Sequence, residues 1–197
     1  ADFSKITGIT ASDAASIKTL YAATTVGLGD ETISVSDTTV IAADINTINA
    51  ATTGKVTISA TSPTLSGLAA DVKTLVLART ADGNSNSLDI PVAIPITITD
   101  SGVVAAADVD ATVNDATFTG LVTIGSNATS LSGTLAIVTS VLDDDNAGTP
   151  KVDGSAALPI TLTDTSITAD EFVALVAKTT GKITTTITET TDGELNK

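Results

Sequence analysis

Apolar and hydroxyl side chains alternate in short stretches that recur along the chain. Two copies are nearly identical, ITITD at 96–100 and ITLTD at 160–164, and ISVSD at 33–37 is a looser copy. Alternation with a period of two residues predicts a β-strand with one buried face. The closing aspartates are 63 and 64 residues apart, at Asp37, Asp100 and Asp164. This spacing predicts a tandem repeat.

Apolar residues at helical spacing lie between these strands. They predict helices within 6–24, 42–51, 66–78, 107–116, 132–142 and 168–178. A second Thr-rich strand follows every other helix, and a TTGK turn at 52–55 and at 179–182 introduces two of its copies. Each copy is therefore predicted to run in the order helix, strand, helix, strand.

The whole pattern predicts an α/β fold, a two-layer, solenoid-like repeat of three helix–strand–helix–strand units. We place the repeats at 1–61, 62–128 and 129–197, the last one ending in a polar C-terminal tail. Helices that alternate with strands favour parallel pairing, and period-2 strands favour helices on one side of the sheet. The alternative is a β-rich, sandwich-like repeat in which some Ala/Val segments form strands.

The same register assigns side chains to the inside and the outside of the fold. The core is predicted to contain Ile45, Ile48, Val72, Leu75, Val138, Val141, Phe172 and Leu175. The residues predicted to face outward are Thr97, Thr99, Thr161 and Thr163. Because Trp and Met are absent and only three Phe and one Tyr occur, small aliphatic side chains must fill the core. Such a core suits thin repeated layers that lean on their neighbours.

The charge balance limits the partners of the chain. Nine basic residues against 23 acidic ones give a net charge of −14, which repels nucleic-acid phosphates and anionic lipid surfaces. No apolar run approaches the roughly 18 residues of a membrane span, so we expect neither nucleic-acid binding nor membrane insertion. The absence of Cys, Met, Trp and His removes most oxidation-sensitive side chains, which suits a secreted or cell-surface protein. Ala1 opens no signal peptide, so a signal would have been removed or would lie upstream.

Groups for catalysis are scarce. The chain has no His, no Cys and no G-x-S-x-G motif, so the usual pairs of nucleophile and base cannot form. Asp37, Asp100 and Asp164 recur with the repeat and lie between a strand and a helix, where caps or turn formers are expected rather than catalytic acids. We therefore expect a protein without enzymatic activity.

Two acidic segments are candidates for calcium binding. Their side-chain oxygens stand at alternating positions, which lets a loop wrap a hard cation. The candidate ligands are Asp82, Asn84, Asn86 and Asp89 in the first segment, and Asp143 and Asp145 in the second. The first segment lacks the glycine and glutamate of an EF-hand loop, so ordinary solvated loops are the alternative.

Thr-x-Thr runs present rows of hydroxyl and methyl groups at strand spacing, an arrangement that ice-binding solenoids use. Thr is also a common residue on the solvent face of a strand, which is the simpler interpretation. Asn127, Ala128 and Thr129 form an N-glycosylation sequon whose use depends on the host.

Two segments carry a resemblance to a known class of proteins. Residues 33–58 (ISVSDTTVIAADINTINAATTGKVTI) and 160–187 (ITLTDTSITADEFVALVAKTTGKITTTI) resemble the repeats of giant secreted surface proteins of cyanobacteria and marine bacteria. Those repeats follow a T-D-x-x-[VI]-x-A pattern that ends in T-T-G-x-[VI]-T. The copy at 100–123 departs from it, with FTGL in place of TTGK. The resemblance implies a structural role at a surface or in a matrix and carries over no functional residue.

These observations together predict an extracellular structural repeat protein, either a subunit of a filament or surface layer or a segment of a giant surface protein. An adhesive or ice-binding module is the alternative. Both ends of the chain carry an apolar pattern without a polar cap, Ile17, Leu20 and Tyr21 in the first helix and Ile183 and Ile187 in the last strand. We therefore expect head-to-tail association of identical chains.

Overall fold

A computed structural model describes residues 5–23, 27–79 and 88–188. The fold is mixed α/β, and the described residues form six helices. The helices are α1 (Ala14–Ala22), α2 (Ala42–Ala51), α3 (Ala69–Ala78), α4 (Ala106–Val113), α5 (Leu135–Asp145) and α6 (Ala169–Val176). The expected α/β class is confirmed, and the β-rich alternative is wrong because the Ala/Val segments are helical.

The described residues also form fifteen short strands, which lie before, between and after the helices. They are β1 (Gly8–Ser12), β2 (Thr32–Val35), β3 (Thr39–Ile41), β4 (Val56–Ile58), β5 (Thr64–Gly67), β6 (Leu88–Asp89), β7 (Ile96–Ile98), β8 (Val103–Ala105), β9 (Val122–Ile124), β10 (Ser130–Gly133), β11 (Val152–Asp153), β12 (Ile160–Leu162), β13 (Ile167–Thr168), β14 (Ile183–Thr184) and β15 (Ile187–Thr188).

The strands form three sheets of four or five strands and one two-stranded pair. The strand orders are β1-β2-β4-β6, β3-β5-β7-β9-β11, β8-β10-β12-β14 and β13-β15. All pairings are parallel, as the alternation of helices and strands predicts. Helices α1 to α5 contact one another in chain order.

Buried apolar residues meet at matching register positions. In the longest sheet, Leu65 pairs with Ile96 and Ile96 pairs with Val122, and all three side chains are buried. The next residue on each strand carries a hydroxyl group on the opposite face. These residues are Ser66, Thr97 and Thr123. The period-2 pattern therefore places the strands in the register that the sequence predicts.

Most of the predicted core is buried. Of the eight residues named above, all but Phe172 have side chains with at most 1% of their surface exposed, and Phe172 is half-buried against the core. The four threonines predicted to face outward are exposed. The helical and strand registers are thus confirmed.

The structure corrects three local expectations. Residues 8–12, predicted as part of the first helix, form β1, because their backbone pairs with β2 and the helix begins only after the Asp13 cap. A short strand directly precedes each helix, so the order helix, strand, helix, strand is incomplete. Residues 143–145, predicted to start an acidic loop, belong to α5 instead.

Candidate functional site

The recurring aspartates hold helix starts. Asp37 Oδ2 accepts a hydrogen bond from the backbone N–H of Ala14 at 2.7 Å. Asp100 and Asp164 accept the same bond from the first residues of α3 and α5, at 2.8 and 2.6 Å. The expectation that these aspartates are caps is confirmed, but each one caps the helix 23 to 31 residues before it in the chain. Each carboxylate thus joins two segments that are far apart in the chain.

Ion pairs join neighbouring helices in a similar way. Lys18 of α1 pairs with Asp44 of α2, and Lys73 of α3 pairs with Asp108 of α4. Lys178, just after α6, pairs with Asp143 of α5. The lysines are about one-third exposed, so each pair stabilises the fold by less than about 1 kcal/mol. Their main effect is to fix which helix lies next to which.

The TTGK turns form hydrogen bonds to residues earlier in the chain. The Thr52 hydroxyl donates to the carbonyl of Glu31 at 2.8 Å and accepts from the backbone N–H of Gly54 at 3.0 Å. Thr179 repeats both bonds, with the carbonyl of Ala156 and the N–H of Gly181, at 2.8 and 2.9 Å. The repeated TTG sequence therefore makes the same pair of hydrogen bonds in both places.

One acidic residue between α1 and β2 is buried. Glu31 is fully buried and accepts hydrogen bonds from the Tyr21 hydroxyl at 2.7 Å and from the N–H of Gly29. Burial alone would raise the pKa of Glu31, but the bonds from Tyr21 and Gly29 outweigh it and lower that pKa. Burial, followed by the bond to Glu31, raises the pKa of Tyr21. Because the carboxylate has donors on both oxygens, it serves as a structural anchor.

The candidate calcium ligands are distributed over different elements. Asp82, Asn84 and Asn86 lie outside the described residues. Asp89, in β6, pairs with Lys55 at 2.8 Å. In α5, Asp143 pairs with Lys178, while Asp145 Oδ2 accepts three hydrogen bonds from Ser155 and Ala156 at 2.6 to 2.8 Å. The described part of the chain contains no group of three acidic side chains arranged to hold a metal ion, and calcium binding remains a prediction.

The carboxyl group of Asp144, between Asp143 and Asp145 in α5, has a raised pKa. Burial raises the pKa of Asp144, an effect that Lys151 opposes and that Asp110 and Asp143 reinforce. Local sequence does not reveal this shift, because burial next to other acids depends on how α5 packs.

At one end of the helix series, α1 has an uncovered face. Leu20 is the seventh residue of α1, and the seventh residues of α3 and α5 are Leu75 and Val141. Both of those are fully buried, whereas Leu20 remains half-exposed. The difference arises because α3 packs on α2 and α5 packs on α4, while no helix precedes α1 in the described residues. We call Ala15, Ser16, Thr19 and Leu20 the N-terminal face.

At the other end, α6 exposes apolar side chains. Val173 is 66% exposed and Val176 is 47% exposed, and Val173 is the most exposed large apolar residue in the described chain. The residue of α4 that corresponds to Val176 is Val113, which is fully buried. We call Phe172, Val173 and Val176 the C-terminal face.

The sequence analysis identified these end faces only in part. Of the apolar residues expected to contribute to the N-terminal contact, Ile17 is buried in the core and Tyr21 donates its hydroxyl to Glu31. Ile183 is half-buried against the core, and Ile187 is half-buried as well. The exposure of Val173 and Val176 does not follow from the sequence, because helical spacing alone does not tell which side of a helix a neighbour covers.

None of the helices in the described ranges combines the length and the hydrophobicity that crossing a bilayer requires. Asn127 of the sequon is exposed in the turn between β9 and β10. In comparisons with known proteins, no family model, no curated protein and no solved structure matches the chain.

Proposed function

We propose that the chain is a non-enzymatic, extracellular structural protein built as a solenoid-like stack of three repeats, 1–61, 62–128 and 129–197. It serves as a subunit of a filament or surface layer, or as a segment of a giant surface protein. The observation that carries the proposal is the threefold recurrence of one contact, the capping of α1, α3 and α5 by Asp37, Asp100 and Asp164. An acidic group that has the same helix-capping role in three places is part of a scaffold.

The other contacts between layers support the same conclusion. Strands pair in parallel with strands of the following layer, and α1 to α5 pack in chain order. In repeat proteins, each unit depends on its neighbours rather than on one central core. A core of Ala, Val, Ile and Leu with few aromatic residues suits such thin layers.

The composition supports an extracellular location. A charge of −14 keeps a concentrated surface protein soluble, and the absence of Cys and Met leaves little to be oxidised. The resemblance of residues 33–58 and 160–187 to repeats of secreted surface proteins favours the same location.

The test is immunogold labelling of intact cells of the organism that makes the protein, combined with protease treatment of those cells. We expect label on the outer surface and loss of the protein when external protease is added. A control antibody against a cytoplasmic protein should give neither result. Label confined to the cell interior would contradict the proposal.

An adhesive or ice-binding module is a second candidate, and the outward hydroxyl row favours it. Ser66, Thr97 and Thr123 occupy adjacent register positions on three neighbouring strands, and Thr161 pairs with Thr184 in another sheet. Adjacent strands lie about 4.8 Å apart, so the hydroxyl groups form a regular row. Thermal hysteresis that Thr97→Lys abolishes would establish ice binding, and a solution that freezes like one of an ordinary protein would exclude it.

A further inference from the structure

We propose that the C-terminal face of one molecule binds the N-terminal face of a second copy of the chain. In this contact, α6 of one protomer packs on α1 of the next as α2 packs on α3 within the chain. The inference rests on the proposed structural function and specifies the partner and the contact residues.

The first step is that α1 is held in the same way as α3. Asp37 caps α1 and Asp100 caps α3, while Lys18 and Lys73 each pair with the aspartate of the following helix. Both helices therefore present the same side to their successor. The opposite side, which α2 covers on α3, carries Leu20 on α1.

The second step is the contact that the chain itself makes at this position. Asn46 of α2 donates its side-chain N–H to the carbonyl of Asp71 in α3 at 3.0 Å, and Leu75 of α3 is fully buried. The residue of α1 that corresponds to Asp71 is Ser16, because each is the third residue of its helix. The N-terminal face thus contains the same features as a surface that binds a helix inside the molecule.

The third step concerns α6, which is the third member of the series α2, α4, α6. Its fifth residue is Val173, where α2 has Asn46 and α4 has Asp110. The fifth position faces the following helix in α2, where Asn46 bonds to Asp71 of α3, and at this position α6 exposes Val173. Helix α6 therefore exposes an apolar side chain at a position that α2 uses for a contact with the next helix.

The fourth step is charge. Neither end face contains an ionisable side chain, although the molecule carries a net charge of −14. Like-charged molecules repel each other least where such neutral surfaces meet, and salt screens the remaining repulsion within about 8 Å at physiological ionic strength. Free strand edges add to the contact, since β1 pairs on one side only in the described sheet and can accept a strand.

The experiment uses two variants of the 197-residue chain that block opposite faces, Leu20→Asp and Val173→Asp. Sedimentation velocity in 0.15 M salt, about physiological strength, should give oligomers for the wild type and monomers for each variant alone. An equimolar mixture of the variants should give a one-to-one dimer and no larger species. The reason is that one intact N-terminal face meets one intact C-terminal face, and both outer faces are blocked.

A matched control is Leu77→Asp, because Leu77 is 54% exposed on α3 but lies on neither end face. This variant should assemble like the wild type. Thr19→Glu and Val176→Asp repeat the test if either of the first variants fails to fold by circular dichroism.

A wild-type chain that stays monomeric at high concentration would overturn the inference, and so would a mixture of variants that stays monomeric. Loss of assembly in Leu77→Asp would also contradict it. The proposed function has a separate outcome, because a monomer that labels at the cell surface would still be a segment of a giant surface protein.

Discussion

Gly54 lies directly against the carbonyl oxygen of Glu31, the residue before β2. A β-carbon at Gly54 would come within 2.1 Å of that oxygen, closer than any real contact allows. Gly181 stands in the same relation to Leu158, at 1.8 Å, and Gly120 to Ile94, at 2.3 Å. The glycine of the TTGK turn is therefore required because two backbones meet there, and this holds even at Gly120, where Phe118 replaces the first threonine.

Gly54→Ala should destabilise the fold by about 1–3 kcal/mol, because the backbone must shift to make room for the methyl group. Chemical denaturation followed by circular dichroism measures the effect. Gly102→Ala is the control, since a β-carbon there has no atom within 4 Å. Equal stability of the two variants would contradict the steric account.

Asp100→Ala should cost about 0.5–2 kcal/mol, the usual loss when a helix cap is removed. Asp37→Ala and Asp164→Ala should cost similar amounts, because all three aspartates make the same bond. Asp30→Ala, at an exposed turn position, is the control for loss of one negative charge. Denaturant melts in which the control costs as much as Asp100→Ala would argue against the capping role.

The strands and the core could be predicted because they depend on local alternation. Ile96 and Ile98 alternate with Thr97 and Thr99, and this pattern alone fixes which side is buried. The strands before the helices were missed because they are short and lead into the helix without a turn residue. Ile41, for example, ends β3 and is also the N-cap of α2.

Contacts between residues that are far apart in the chain could not be predicted in this way. Asp100 was expected to be a cap, but its partner Ala69 lies 31 residues away, and no local pattern identifies it. Val173 likewise has an ordinary position in the helical pattern, and no local pattern shows that it is 66% exposed. Local patterns define the helices and strands, whereas contacts between distant residues define the candidate site.

Leu175→Ala should destabilise the chain by about 2–5 kcal/mol, because it empties a buried position of α6. Val173→Ala, two residues earlier in the same helix, should change the stability by less than about 0.5 kcal/mol in dilute solution. Leu175 is 1% exposed and Val173 is 66% exposed, so the pair tests the orientation of α6. Denaturant melts in which Leu175→Ala costs under about 0.5 kcal/mol would contradict that orientation.

Calcium is predicted to stabilise the fold through the two acidic segments. A bound ion at a hundredfold excess over its dissociation constant adds about 2.7 kcal/mol. Alanine at Asp82 and Asp89, or at Asp143 and Asp145, should remove part of this gain. The readout is the difference between melts in calcium and in chelator, because Asp145→Ala also removes three hydrogen bonds in the absence of calcium. Identical melts of the wild type in calcium and in chelator would leave these segments as ordinary acidic surface.

Tyr21→Phe should make the protein more sensitive to acid. The pKa of Glu31 is lowered in the folded chain, so its stabilising contribution is present above the ordinary glutamate value of 4.5 and is lost as the pH falls through the lower folded value. Removing the Tyr21 hydroxyl removes a hydrogen bond that lowers the pKa of Glu31. Burial then raises this pKa with less opposition, so the folded pKa of Glu31 should rise. The variant should therefore lose about 1.5–3 kcal/mol at neutral pH, as expected for a hydrogen bond to a charged group, and unfold at a higher pH during acid titration.

The control for this prediction is the same substitution in a Glu31→Gln background. Glutamine keeps the shape of the buried side chain but does not titrate, so adding Tyr21→Phe should shift the acid midpoint of that variant less than it does in the Glu31 background. Acid titrations followed by circular dichroism on all four proteins give the coupling between the two positions. If Tyr21→Phe moves the acid midpoint equally in both backgrounds, the shift does not arise from Glu31, and the Tyr21 hydroxyl does not set the pKa of the buried carboxylate.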